Sequence, residues 1–235
     1  MGVHPLHPDS VHVWSITLDC SDGETGSFAA VLSEDEAERA ARFRFSIHRN
    51  RFIVGRGSLR TILGRYLGTS PAELQFTYGP RGKPELVGET LRFNLSHSQG
   101  IALLAVTRSR AVGIDLEQIT QEVELDKIAR RICSDREFAA INRCPSEKRS
   151  QVFFNAWTRK EAFIKATGKG FSLPVEQVEV SLEPCSPARL LGVPASEGPV
   201  SRWSIAALEL QRGFAGALVV EGHGWSLDLL SQSNT

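Results

Sequence analysis

The sequence predicts an α+β fold made of two similar halves. Helical patterns come in groups set between groups of strands, which disfavours a doubly wound sheet. The order strand, helices, strands occurs twice along the chain, and the two runs meet near the polar connection at 107–111. The halves are therefore expected at 1–108 and 109–235.

The elements follow in order. His12, Trp14, Ile16 and Leu18 alternate with Val13, Ser15 and Thr17, the period of a strand. Ser33 with Glu36 forms a capping box that starts a helix running into an arginine-rich segment. Phe52, Leu59, Ile62 and Leu63 share one face of a second helix over 47–67, and Pro71 restarts the chain after Gly68. Residues 74–78 read as a strand, and Gly79-Pro80-Arg81-Gly82-Lys83-Pro84 as a turn. Strands are expected at 91–95, 101–106 and 112–116, then helices over 125–132, 135–141 and 147–167, ended by Gly168, Gly170 and Pro174. Strand-like runs return at 178–182, 203–208, 215–220 and 225–230, with prolines 184, 187, 194 and 199 interrupting the first interval.

Lys plus Arg number 27 and Asp plus Glu number 27, so no global field draws in nucleic acid or an anionic membrane. No apolar run approaches the ~20 residues of a bilayer span, and the N-terminus lacks the pattern of a signal peptide. Cys20, Cys133, Cys144 and Cys185 form no C-x-x-C pair, so reduced thiols in a cytoplasmic protein are expected. His4, His7 and His12 lack Cys or acidic partners and are expected on a mobile N-terminal end, not at a metal.

Two stretches carry acids at informative spacing. In Val112-Gly113-Ile114-Asp115-Leu116-Glu117, strand alternation points Asp115 and Glu117 the same way. An acid pair on a strand is often only its solvent face, but Gly113 and the apolar neighbours make this run central, where paired carboxylates need a cation. In Trp157-Thr158-Arg159-Lys160-Glu161-Ala162-Phe163-Ile164-Lys165, Glu161 and Lys165 lie one helical turn apart. Alone they read as a surface ion pair worth ~0.3–0.5 kcal/mol. Three carboxylates supply hard oxygen ligands for Mg²⁺ and a lysine suits phosphate, so the set points to phosphoryl chemistry. Phe153, Phe154, Trp157 and Phe163 read as core that anchors this helix. Ser96 and His97 close a strand and enter a turn, either as a cap and a surface imidazole or as donors to a phosphate. Lys83 and Pro84 sit on a glycine-bearing loop that is not a P-loop. Arg39, Arg42, Arg44, Arg49 and Arg51 form a basic strip, with Glu34, Glu36 and Glu38 as rival partners for an ordinary exposed face.

Taken together and in this order, Gly82-Lys83-Pro84, Phe93-Asn94-Leu95-Ser96-His97, Gly113-Ile114-Asp115-Leu116-Glu117 and the Trp157 to Lys165 block resemble the 4′-phosphopantetheinyl transferases, in their long, two-halved, surfactin-synthetase-activating type. The resemblance spans roughly 33–173 and fades in the last sixty or so residues. It implies two halves in pseudo-twofold arrangement and transfer of 4′-phosphopantetheine from coenzyme A to a serine of an apo acyl carrier protein or peptidyl carrier domain, releasing 3′,5′-ADP. It implies further that Asp115, Glu117 and Glu161 hold Mg²⁺ (or Mn²⁺), and that Lys165 contacts the pyrophosphate. Lys83, Pro84, Ser96 and His97 would bind the adenosine end, with Arg39 and Arg51 as further basic contacts. Glu161, directly or through a metal-bound water, would take the serine proton. Glu36 and Phe52 depart from the family pattern, where a lysine and a small polar residue can stand. A partly apolar, locally basic docking surface for the carrier is expected near Gly168-Lys169-Gly170-Phe171, on a monomer. Two other readings use the same residues: a coenzyme A or nucleotide-binding module without turnover, and a Mg²⁺-dependent nuclease or phosphatase.

Overall fold

The computed structural model describes residues 5–79, 82–88, 91–121, 124–183 and 187–232. The first half opens with strand β1 (Ser10–Thr17), followed by helices α1 (Asp22–Ala29), α2 (Glu34–Ala41) and α3 (Ser46–Leu67). A small hairpin of β2 (Phe76–Tyr78) and β3 (Pro84–Leu86) leads into strands β4 (Arg92–Ser98) and β5 (Ile101–Thr107). The second half repeats the plan with β6 (Val112–Gln118), α4 (Leu125–Ile132), α5 (Asp135–Arg143) and α6 (Ser146–Thr167). It continues through the short pair β7 (Glu179–Val180) and β8 (Leu190–Gly192) to β9 (Trp203–Ala207) and β10 (Phe214–Glu221). A last strand, β11 (Ser226–Ser231), follows.

The likeness of the halves lies in their topology. In the first sheet β5 stands between β1 and β4; in the second, β10 stands between β6 and β9. All four of these pairings are antiparallel. Each half has one 22-residue helix, α3 or α6, and each ends on a left-handed glycine, Gly68 (φ 65°) or Gly168 (φ 70°), the conformation that releases the chain from a helix. The α+β class with two similar halves is what the chain forms. β11 breaks the symmetry: it pairs in parallel with β1, from Ser10 opposite Ser226 to Ser15 opposite Ser231, so a strand from beyond residue 109 completes the first sheet.

The layers run helix, sheet, sheet, helix. Val54, Leu59, Ile62 and Leu63 of α3 pack on Trp14, Ile16, Phe93 and Leu104 of the first sheet. The opposite face of that sheet, with Val11, Val13, Leu103 and Ala105, meets Val112, Ile114, Leu116 and Leu218 of the second. Ala162, Phe163 and Ala166 of α6 cover the far side against Ala217 and Val219. Strand alternation assigns neighbouring residues to opposite layers, and each buried Leu, Ile or Phe contributes roughly 1.5–3 kcal/mol.

Each half also buries the third residue of a capping box against a cation on its long helix. Glu36 of α2 takes hydrogen bonds from Arg56 Nε and, at 2.6 Å, from Arg60 Nε; Arg60 Nη1 also donates to the carbonyls of Pro71 and Leu74. Glu137 of α5 pairs with Lys160 Nζ at 2.8 Å and accepts the Val180 N–H at 2.9 Å.

Several expectations are corrected. His12 is buried inside β1, with Nδ1 2.6 Å from Tyr66 Oη and Nε2 3.4 Å from Asp228, because β11 covers the edge that a mobile end would leave open. β4 runs on to Ser98, so Ser96 and His97 lie within the strand; the turn is Gln99-Gly100, with Gln99 at φ 53°. The strand expected from residue 74 pairs only from Phe76, where β3 provides a partner, and the one expected at 178–182 pairs only at Glu179–Val180. His4, Pro80, Arg81, Pro184 and Cys185 lie outside the described residues. Cys20, Cys133 and Cys144 are free thiols. No helix among the described residues is long and apolar enough to cross a membrane.

Candidate active site

The site forms where β4, β6 and α6 meet, and Gly113 sets how closely they meet. A methyl group at Gly113 would collide with the Ala162 carbonyl oxygen and the Ala166 nitrogen, so only glycine lets β6 lie directly against α6. From that contact, alternation carries Asp115 and Glu117 onto the face that α6 covers, and Glu161 and Lys165 project from α6 one turn apart.

Lys165 pairs across elements and not along its helix. Its Nζ lies 2.6 Å from Asp115 Oδ1 and donates to Ser96 Oγ at 3.0 Å, while Ser96 Oγ donates to Asp115 Oδ1 at 2.9 Å. The other Asp115 oxygen, Oδ2, is buried with no hydrogen-bond partner among the described residues. Ser98 Oγ donates to Glu117 Oε2 at 3.2 Å. Asp115, Glu117, Glu161, Ser96, His97, Trp157 and Lys165 border one cavity of about 240 Å³.

The carboxylates burden one another. Burial, then the Asp115 charge, pushes the Glu117 carboxyl above the ordinary range, against the opposing pull of Ser98, Trp157 and Lys165. Burial, then Asp115, likewise raises Glu161; Lys165 opposes the shift and Glu117 adds to it. Burial, with Lys165 and Arg51 nearby, lowers His97. Among the described residues no three such side chains already converge closely enough to hold an ion, and Lys165 stands 2.6 Å from one Asp115 oxygen.

A larger cavity of about 1110 Å³ adjoins the first and shares His97, Glu161 and Lys165 with it. Arg39, Arg51, Lys83, Pro84 and Phe52 all line it, which gathers the residues expected at the nucleotide; Ser96, Asp115 and Glu117 stay in the smaller one. Arg39 lies over the Phe52 ring at 5.3 Å, so Phe52 supports this cation. Arg51 is gripped by Asp19 at 2.7 and 2.9 Å. Lys83 Nζ donates to the Lys165 carbonyl at 2.6 Å and the Val112 carbonyl at 3.3 Å, tying the loop of the first half to the second; burial lowers its pKa to about 8. Glu36 also borders this cavity but is neutralised by Arg56 and Arg60, and Arg56 Nη2 in turn donates to Tyr78 Oη at 2.6 Å.

Two residues that touch Glu117 were not picked out from the sequence as functional, Ser98 and Trp157. The signal for Ser98 was available in Asn94, Ser96 and Ser98, three polar residues at strand period.

Comparison with known proteins identifies the family. Residues 111–219 match the family model described as 4′-phosphopantetheinyl transferase superfamily, and residues 19–109 match the 4′-phosphopantetheinyl transferase N-terminal model. The 4′-phosphopantetheinyl transferase HetI of Nostoc sp. is 43% identical over 94% of this chain and 91% of its own length. The transferase Sfp of Bacillus subtilis is 29% identical over 72% of this chain and 76% of its own. A Bacillus anthracis holo-(acyl-carrier-protein) synthase in complex with CoA (3′,5′-ADP) overlaps 48% of this chain and 96% of its own, at 22% identity and a TM-score of 0.39. The chain belongs to the 4′-phosphopantetheinyl transferase superfamily.

Proposed function

We propose that this enzyme transfers 4′-phosphopantetheine from coenzyme A to a serine of an apo acyl or peptidyl carrier protein and releases 3′,5′-ADP. The observation that carries the proposal is the junction of two cavities at His97, Glu161 and Lys165, one large and lined by cations, the other small and acidic. The large cavity has room for a nucleotide cofactor. Arg39, Arg51, Lys83 and His97 supply it with cations and hydrogen-bond donors for the phosphates at the adenosine end, beside the rigid Pro84. Ser96 would meet that end from the smaller cavity.

Asp115, Glu117 and Glu161 would hold a divalent cation, Mg²⁺ or Mn²⁺. Three carboxylates make a hard-oxygen donor set, Asp115 Oδ2 is an orphaned acceptor, and the burial and neighbouring charge that raise Glu117 and Glu161 are what a bound cation offsets. Such an ion, when bound, supplies charge compensation on the pyrophosphate. The chain's own residues supply the rest. The carrier serine hydroxyl attacks the β-phosphorus, the P–O bond to 3′,5′-ADP breaks, and Glu161 takes the serine proton. Lys165, held by Asp115 and Ser96, puts fixed positive charge beside the leaving group as its negative charge grows.

The carrier would dock at the basic surface around Lys169, whose Nζ is braced 2.6 Å from the buried Glu197; the side chain of Phe171 in this segment lies outside the described residues. One chain provides both sheets around the site, which supports a monomer, and the free thiols of Cys20, Cys133 and Cys144 suit the reducing cytoplasm. The test is intact-mass spectrometry of an apo carrier incubated with the enzyme, coenzyme A and Mg²⁺. A gain of one phosphopantetheine, abolished by EDTA, is expected; no gain on any of several acyl and peptidyl carriers would replace this reading with that of a binding module.

A further inference from the structure

We infer that Ser98 is a positioning residue for the acidic site, fixing the carboxylate of Glu117 from the neighbouring sheet. β4 and β6 are edge strands of different sheets and share no backbone ladder. Side chains at alternate β4 positions take the ladder's place. Asn94 Oδ1 accepts the Ile114 N–H at 2.8 Å, and Ser96 Oγ donates to Asp115 Oδ1 at 2.9 Å. Ser98 Oγ accepts the Gln118 N–H at 3.0 Å and donates to Glu117 Oε2 at 3.2 Å.

Ser98 differs from the other two rungs in doing both jobs with one atom. A serine hydroxyl has a single proton to give. One of its lone pairs takes the Gln118 N–H of β6, and its proton goes to Glu117, one residue back on the same strand. A glutamate has three side-chain torsions to fix, and each left free disperses its carboxylate. Ser98 removes part of that freedom before any ligand arrives, from a strand that β5 holds in register along its whole length. Asp115 needs less help, since its shorter side chain is already held by Ser96 and Lys165.

The inference rests on the reading of Asp115, Glu117 and Glu161 as the cation site, and the test separates the two. Mn²⁺ alone is titrated into the full-length protein and its Ser98→Ala, Ser98→Thr and Asp115→Ala variants, with free Mn²⁺ followed by electron paramagnetic resonance. Ser98→Ala should bind Mn²⁺ about 10-fold more weakly, the size typical of losing a partner that orients a metal ligand. Ser98→Thr keeps the hydroxyl and should restore most of the affinity. A merely structural role would instead lower the melting temperature of Ser98→Ala and leave its Mn²⁺ affinity unchanged. That result, with binding lost in Asp115→Ala, overturns the role of Ser98 alone. Undiminished binding by Asp115→Ala overturns the cation site and the inference with it.

Discussion

Lys165 Nζ and Asp115 Oδ1 stand 2.6 Å apart, a bond that joins the last turn of α6 to the middle of β6. Removing either one leaves the other with only its hydrogen bond to Ser96. Asp115→Ala should cut carrier modification by more than about 100-fold, beyond the usual effect of losing an outer partner. The fold should persist, since Lys165 is partly exposed and can be hydrated. Carrier mass spectrometry and circular dichroism of the same preparation check both halves of this prediction; full transfer by Asp115→Ala would remove Asp115 from the site.

Gly113→Ala should be harmful out of proportion to one methyl group. The added carbon has no flexible side chain to displace, only the α6 backbone at Ala162 and Ala166. Overpacking of this kind costs about 1–3 kcal/mol. Urea denaturation should show a lower midpoint with an unchanged slope, and transfer should fall because β6 and α6 carry the site between them. A variant as stable and active as the parent would mean the two elements can separate freely.

Glu36 predicts a particular acid sensitivity. Burial works against its ionisation, but Arg60 and Arg56 outweigh that and hold its carboxyl below the ordinary value of 4.5. A carboxyl depressed by folding contributes stability that is present above the unfolded pKa and lost as pH falls through the folded one. Glu36→Gln should therefore be about 3–5 kcal/mol less stable at pH 7, leaving two buried guanidinium groups short of a counter-charge. The gap should narrow below pH 4.5. Guanidinium chloride melts at pH 7 and pH 3.5 measure it; a gap independent of pH would show the pair is not ionised.

Lys83 gives a slope of the same sign at the other end of the scale. Burial lowers its pKa from 10.5 to about 8, against the pull of Glu85. Across that interval the unfolded chain binds a proton that the folded chain does not, so folding gains as pH rises. Relative to Lys83→Met, the parent should become more stable between about pH 8 and 10.5. Urea melts of both proteins at pH 7.5 and pH 10 decide it, and a constant difference would mean the amine titrates as if exposed.

Local chemistry made much of this molecule legible in its sequence. The Ser33 and Glu36 box marked α2, and Gly113 with its apolar neighbours marked β6 as a central strand; that α6 backbone lies against Gly113 is a tertiary fact. α1 was not read, although Ser21 and Glu24 form the same box, because Gly23 and Gly26 interrupt its apolar pattern. Asp115, Glu117, Glu161 and Lys165 could be named from spacing, yet not the bond from Lys165 to Asp115, which depends on how two separate elements meet. Glu36 looked like a missing cation at the nucleotide; its pairing with Arg56 and Arg60, some twenty residues on, is a tertiary fact. Lys83 likewise read as a loop lysine because the carbonyls it binds lie far along the chain, at Val112 and Lys165.

The pairing of β11 with β1 bears on how the chain is made. On a ribosome the first half emerges early and can assemble α3 over β1, β5 and β4, yet the outer edge of β1 waits for residues 226–231. Until those residues appear, Val11, Val13 and the polar groups beside them form an open strand edge, the kind that captures other strands. Nascent chains arrested before residue 226 should therefore be the sticky species of this protein, because it is β11 that seals the edge of β1.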